Sequence, residues 1–298
     1  MASEVSGIRL DGQVAIVTGS GRGLGREYAL ALAERGAKVV VNGTGLGGDG
    51  AEERVVDEIR AAGGDALAMI GSVTDRAWVE SMAGSVLARW GRVDILVPNA
   101  GFVRDKSFAK IDMDDFRDVL EVHLGGTLNC LKALWPGMLD RRYGRIVLIG
   151  SGAGLAGNFG QSAYGAAKMA LIGLMNTLGL EGASKNVRVN CFAPVGASRM
   201  NAGILTSEQS AMFDAAKLRS GIVFLASDRA PNRAILLGGG GSYERAQIVF
   251  SKGVRLDSDQ PEELAAQWSQ VSDMAGAFVP ESAMDQVANE AANILPAE

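Results

Sequence analysis

Short runs dense in aliphatic and β-branched residues recur along most of the chain: QVAIVT (13–18), KVVVN (38–42), ALAMI (66–70), DILV (94–97), RIVLIG (145–150), VRVNCF (187–192) and AILL (234–237). Most are apolar almost without interruption, as in strands buried on both faces of a parallel sheet. Between them the spacing predicts helices over 24–35, 51–62, 75–90, 114–142, 164–183 and 215–226. Gly36, Gly63 and Gly91 stand where helix C-caps are expected. Strands alternating with helices imply repeated right-handed crossovers. The expected fold is α/β: a single-domain, Rossmann-like, doubly wound parallel sheet of about seven strands with helices on both faces. This domain spans 8–245. The pattern weakens over 246–298, a C-terminal extension with one helix near Pro261 to Val271.

Composition narrows the function. The chain is 47% hydrophobic and 21% charged, enough for a sizeable core in a globular protein. Its 40 glycines gather in short loops, which suggests backbone approaching a ligand. A net charge of −5 without a Lys/Arg block argues against nucleic acid as a partner. Cys130 and Cys191 offer neither a disulfide framework nor metal-ligand spacing, and with a single histidine no metal site is expected. The N-terminal stretch lacks a signal-peptide core, no apolar run approaches the roughly 18 residues of a membrane span, and the final LPAE matches no address signal. Cytoplasm is therefore the expected compartment.

The first strand runs into TGSGRGLGRE and directly into a helix. In such a turn, from Gly19 through Ser20, Arg22, Gly23, Leu24 and Gly25, backbone N–H groups can receive a pyrophosphate. A dinucleotide site usually has an acid about 20 residues further on to grip the adenosine ribose. Here that place holds Asn42, Gly43 and Thr44. Loss of the acid removes repulsion of a 2′-phosphate, which Arg22 can pair with, and this leans the reading to NADP. In the alternative, Arg22 is a solvated loop cation and Asn42 or Thr44 binds the ribose of NAD.

The fifth strand opens into GSGAGLAGNFGQSAYGAAKMA. Tyr164 and Lys168 are four apart on a helix and share a face. A tyrosine near pKa 10 is a poor base at neutral pH, but an adjacent ammonium and an oxidised nicotinamide favour the phenolate. A three-unit shift requires about 4 kcal/mol. Ser151, at the C-terminal end of its strand, can hold a substrate oxygen by hydrogen bond.

Together these motifs resemble the short-chain dehydrogenase/reductase family over about residues 8 to 245. TGSGRGLG corresponds to its TGxxxGxG loop, NAG at 99–101 to its NNAG, Ser151 and YGAAK to its catalytic set, and NCFAP at 190–194 to its segment after the sixth strand. The resemblance implies hydride transfer between a secondary alcohol or ketone and NAD(P). Tyr164 would be the acid/base, Ser151 the substrate-oxygen ligand, and Lys168 both pKa modulator and ribose ligand. It also implies that Ser72 and Val73 border the adenine, that Asn99, Ala100 and Gly101 line the nucleotide cleft, and that Pro194, Val195, Gly196 and Ser198 lie near the carboxamide.

GREYALALAERGAKVVVN, RDKSFAKI, VHLGGT, YGRIV, GNFGQSAYGAAK and FAPVGASRM resemble one group within that family. It comprises the dehydrogenase part of peroxisomal multifunctional enzymes of type 2 and their bacterial relatives, which oxidise (3R)-3-hydroxyacyl-CoA and in some cases 17β-hydroxysteroids. His123 stands where the family usually has an Asn supporting a water that leads from the active-site lysine to solvent. It would hold or relay through that water, or serve only in packing.

Three departures are visible. Gly43 replaces the ribose-binding Asp, Pro98 replaces the first Asn of NNAG, and no room remains for a hydratase or sterol-carrier domain, so the chain would act alone. Gly43 and Pro98 also motivate a rival reading, a dinucleotide-binding sensor or structural subunit without catalysis. Arg199 to Phe213 suits a lid over a lipophilic substrate or a packed surface helix, and LGGGGSYER (237–245) a turn at the sheet edge. Apolar surface on helices 114–142 and 164–183 suggests a homodimer or homotetramer.

Overall fold

The computed structural model describes residues 7–196 and 206–295. The chain forms two compact units, Met1–Arg245 and Ala246–Glu298. In the first, β1 (Val14–Val17), β2 (Lys38–Gly43), β3 (Ala66–Ile70), β4 (Ile95–Val97), β5 (Gly144–Ile149), β6 (Val187–Val195), β7 (Ile235–Gly239) and β8 (Ser242–Ala246) build an eight-stranded sheet in the order β3-β2-β1-β4-β5-β6-β7-β8. All pairings from β3 across to β7 are parallel. The expectation of a Rossmann-like doubly wound sheet holds. The eighth strand follows β7 after only Gly240 and Gly241, both at positive φ, a link too short for a crossover and therefore a hairpin. Its SYERA sequence lies at the edge and shows no apolar run, so periodicity does not reveal it.

Alternation along the strands divides the core. Ala15 and Val17, Val39 and Val41, Ile95 and Val97, and Val147 and Ile149 face one side. There they pack with Tyr28 and Leu32 of α1 (Gly23–Glu34), Val55 and Ile59 of α2 (Ala51–Ala61), and Ile222 and Leu225 of α9 (Arg219–Ala226). The helices between are α3 (Arg76–Trp90), α4 (Met113–Leu120), α5 (Gly126–Arg141), α6 (Gly152–Ala156), α7 (Ser162–Ala183) and α8 (Ser207–Met212). After β3 the chain crosses back so that β4 lies beside β1, and the order reverses there. Ligands bind α/β sheets at such a switch, outside the carboxyl ends of the strands.

The helix predicted over 114–142 is interrupted. Glu121–Gly125 form a π-turn between α4 and α5, closed by the Gly126 N–H donating to the Glu121 carbonyl. π-turns often mark functional sites, and this one carries His123. The second unit contains α10 (Pro261–Ala266), α11 (Trp268–Val271) and α12 (Ala283–Ile294). Phe250 pairs with Phe278 across an antiparallel bridge, and a Ser282–Asp285 capping box starts α12.

Candidate active site

At the carboxyl end of β1 the chain turns through Gly19 at φ +61°, where a Cβ would come within 2.8 Å of the Ala100 Cα. Only glycine lets this loop approach the segment after β4. Thr18 and Asn99 lock the two together. Thr18 Oγ1 accepts from the Asn99 and Ala100 N–H groups at 3.0 Å each, and the Asn99 amide donates to the carbonyls of Thr18 (3.0 Å) and Gly19 (3.1 Å). Thr18 was not singled out from the sequence, although it opens the TGSGRGLG motif. The α1 N-terminus has no side-chain cap and no acidic residue in its first turn, so its N–H groups remain available to an anion. This uncapped cradle at the switch point fits the pyrophosphate of a dinucleotide.

Other expected cofactor residues prove to be engaged in the scaffold. Ser20 is fully buried, its hydroxyl donating to the Val17 carbonyl at 2.6 Å and accepting from the Asn42 N–H at 3.1 Å. Asn42 is buried too, and its amide donates to the carbonyls of Met69 (3.0 Å) and Gly71 (3.1 Å), clasping β2 to the end of β3. Thr44 is exposed. Ser72 Oγ lies 2.8 Å from Thr74 Oγ1, and the Val73 side chain packs where a Cβ on Gly126 would stand. Arg22 pairs with Asp49. Gly43 abuts the carboxylate of Glu52 on α2, a residue that the strand-to-loop pattern does not single out. β6 extends to Val195, so NCFAP belongs to the strand itself. Pro194 lies near its end, and a Cβ on Gly196 would come within 2.8 Å of the Leu24 side chain. Ser198 and the part of the expected lid over 199–205 lie outside the described residues.

The chemistry-bearing side chains meet at the carboxyl end of β5. Ser151 caps α6, its hydroxyl accepting from the Ala153 N–H at 3.1 Å, and it lies close enough to the Tyr164 hydroxyl to favour the phenolate. One turn further along α7, Lys168 is buried and donates from Nζ to the Ile149 carbonyl at 2.6 Å. Its Nζ stands 5.4 Å from the centre of the Tyr164 ring. Burial lowers the Lys168 pKa to about 8. Burial also raises the Tyr164 pKa above its ordinary value, while the Ser151 hydroxyl pulls it down. Lys168 is not among the causes of the Tyr164 shift in the protein alone: desolvation of the phenolate is the largest, the Asp105 charge adds to it, and the phenol is the stable form at neutral pH.

His123 completes the cluster from the π-turn. Its ring lies edge-on to Tyr164, with centroids 5.2 Å apart. Its Nε2 lies 2.7 Å from the Phe102 carbonyl and 3.2 Å from the Phe102 N–H, so Phe102 can pair with either neutral tautomer, accepting from a protonated Nε2 or donating to a bare one. Nδ1 is buried and has no hydrogen-bond partner among the described residues. Burial, reinforced by the Lys168 charge, lowers the His123 pKa to about 3. Gly101 is required beside it, since any Cβ there would enter the imidazole.

A doubly wound sheet with an anion cradle at its switch point and a Ser–Tyr–Lys cluster beside it defines a nicotinamide-dependent dehydrogenase. Residues 13–209 match the short chain dehydrogenase family. The chain belongs to that family. It is 44% identical over 289 residues to the peroxisomal multifunctional enzyme type 2 of Drosophila melanogaster, covering 93% of this chain and 48% of that protein. Thus it spans about half of that relative's length. A short chain dehydrogenase structure from Mycobacterium avium superposes with a TM-score of 0.77 at 34% identity, covering 92% of this chain and 98% of that one. A gluconate 5-dehydrogenase from Burkholderia cenocepacia, in complex with NADP and tartrate, gives a TM-score of 0.71 at 28% identity, covering 78% and 96% respectively.

Proposed function

We propose that the chain oxidises a (3R)-3-hydroxyacyl-CoA, or reduces the corresponding ketone, with Tyr164 moving the proton at the substrate oxygen. The convergence of Ser151, Tyr164 and Lys168 at the end of β5 carries this reading. When bound, a nicotinamide dinucleotide supplies or accepts the hydride at the carbinol carbon. The Ser151 hydroxyl holds the substrate oxygen within reach of the Tyr164 phenol. In reduction the phenol gives that oxygen its proton as a carbonyl becomes an alcohol; in oxidation the phenolate takes the proton back. Lys168 places positive charge beside the phenolate as it forms and can donate to a ribose hydroxyl. The resident loops that would hold the dinucleotide are Gly19 to Gly25, Asn99 to Gly101 and Pro194 to Gly196. His123, neutral at physiological pH, stands edge-on to Tyr164 with its Nδ1 unpartnered among the described residues.

The substrate class rests on resemblance to the multifunctional-enzyme group and on apolar side chains near the carboxyl ends of β5 and β6. Phe159 is 92% exposed and Val195 51%. Leu128 on α5, with Met169 and Leu180 on α7, is also exposed, which supports a homodimer or homotetramer through these helices. Among the described residues no helix is long and apolar enough to cross a membrane. The unpaired, buried Cys130 and Cys191 accord with the reducing cytoplasm. A panel of 3-hydroxyacyl-CoA thioesters and 17β-hydroxysteroids, followed by reduced-nicotinamide absorbance, tests the reading. Turnover with the thioesters is expected; turnover confined to the steroids would replace the substrate class.

A further inference from the structure

β2 ends without an acid in sequence, yet a carboxylate occupies the space beyond it. Glu52 stands in the first turn of α2 and is only 7% exposed. Its Oε1 fills the place a Gly43 side chain would take, and a Cβ on Gly21 would lie 2.7 Å from the same oxygen. The carboxylate thus sits between the end of β2 and the glycine loop after β1. It makes no hydrogen bond with any described residue, and its nearest cation, Arg22, acts on it only through space. A nearly buried carboxylate without a donor from the chain is open to one from a ligand. Its position at the carboxyl end of β2 is where sheets of this type receive the adenosine ribose hydroxyls, which are donors.

We propose that Glu52 supplies, from the neighbouring helix, the ribose-binding acid absent at Gly43, and that it selects NAD(H) by accepting the ribose hydroxyls and repelling a 2′-phosphate. The proposal rests on the dinucleotide reading of the glycine loop. It reverses the lean towards NADP that the sequence suggests, because both premises of that lean change in three dimensions. The acid is present, delivered by another element. Arg22, the cation expected to meet the phosphate, is already paired with Asp49, whose carboxyl is held well below its usual pKa by Arg22 and Arg54. Arg26, the next cation on α1, pairs with Glu27 and Glu58. Gly43 and Glu52 then form one device: any side chain at 43 would collide with the carboxylate that replaces its function.

Fluorescence titration of the full chain with NADH and with NADPH reads the selection without turnover. Wild type is expected to bind NADH at least about tenfold tighter, equivalent to about 1.4 kcal/mol. Glu52→Gln keeps the shape and removes the charge, so the ratio should fall to within about threefold. The double variant Gly43→Asp/Glu52→Ala, which returns the acid to the strand, should restore the NADH preference. Thermal melts of Glu52→Gln should be close to wild type, since the carboxylate makes no hydrogen bond with any described residue. Tighter NADPH binding by wild type, or an unchanged ratio in Glu52→Gln, overturns the role of Glu52. Binding of neither dinucleotide overturns the underlying cofactor reading as well.

Discussion

At the residue scale, His123 couples the site to pH. Burial places its folded pKa at about 3, below the ordinary 6.5. As pH falls, the unfolded chain takes up this proton first, so the contribution to stability is complete above about pH 6.5 and is lost towards about pH 3. The slope from this single group is at most about 1.4 kcal/mol per pH unit. Denaturant melts between about pH 7 and pH 4 should therefore decline more steeply for wild type than for His123→Asn. Parallel curves would mean that the imidazole is not held neutral by its surroundings. The same group was legible in the sequence only as a family position. Its engagement with Phe102 and its place in a π-turn follow from one extra residue in a helical turn; EVHLGG contains no Pro, and Gly125 and Gly126 weaken the helix there without specifying a π-turn.

The elements show where sequence reasoning succeeds and where it stops. VAIV and ILV declare buried parallel strands because both faces must be apolar, and the glycine loop declares itself through Gly19 and Gly25, which no side chain can replace. A Cβ on Gly25 would come within 2.9 Å of the Ser20 Cα and would press on the Asn99 amide. Gly25→Ala should thus cost about 1–3 kcal/mol in stability through overpacking. It should also weaken dinucleotide binding, and a melt with an NADH titration measures both. Glu52 was not legible, because the rule that finds a ribose acid looks at the end of β2. An acid arriving from α2 depends on how that helix packs over the strand, a tertiary fact that strand periodicity does not encode. Asn42 illustrates the converse: its position suggested a ligand, but its amide is consumed in joining β2 to β3.

For the whole molecule, the doubly wound parallel sheet and the placing of Ser151, Tyr164 and Lys168 after β5 were readable in advance, since they rest on local pattern and fixed spacing, whereas the strand order and the switch between β1 and β4 depend on tertiary packing. The edge strand β8 was not readable either, because a solvent-facing strand carries no apolar signature. Exposed Leu128, Met169 and Leu180 leave α5 and α7 with apolar surface that a second copy would cover. Light scattering should report a dimer or larger, and Leu180→Arg should shift it towards smaller species; a wild-type monomer would contradict this.

The central claim is that Tyr164 moves the proton while the dinucleotide site stands independently of it. Turnover of a (3R)-3-hydroxyacyl-CoA by Tyr164→Phe, measured alongside its NADH affinity, tests both halves together. The predicted result is a loss of about 10²-fold or more in turnover, with NADH binding and melting temperature close to wild type. Turnover at the wild-type rate in that variant would contradict the assignment.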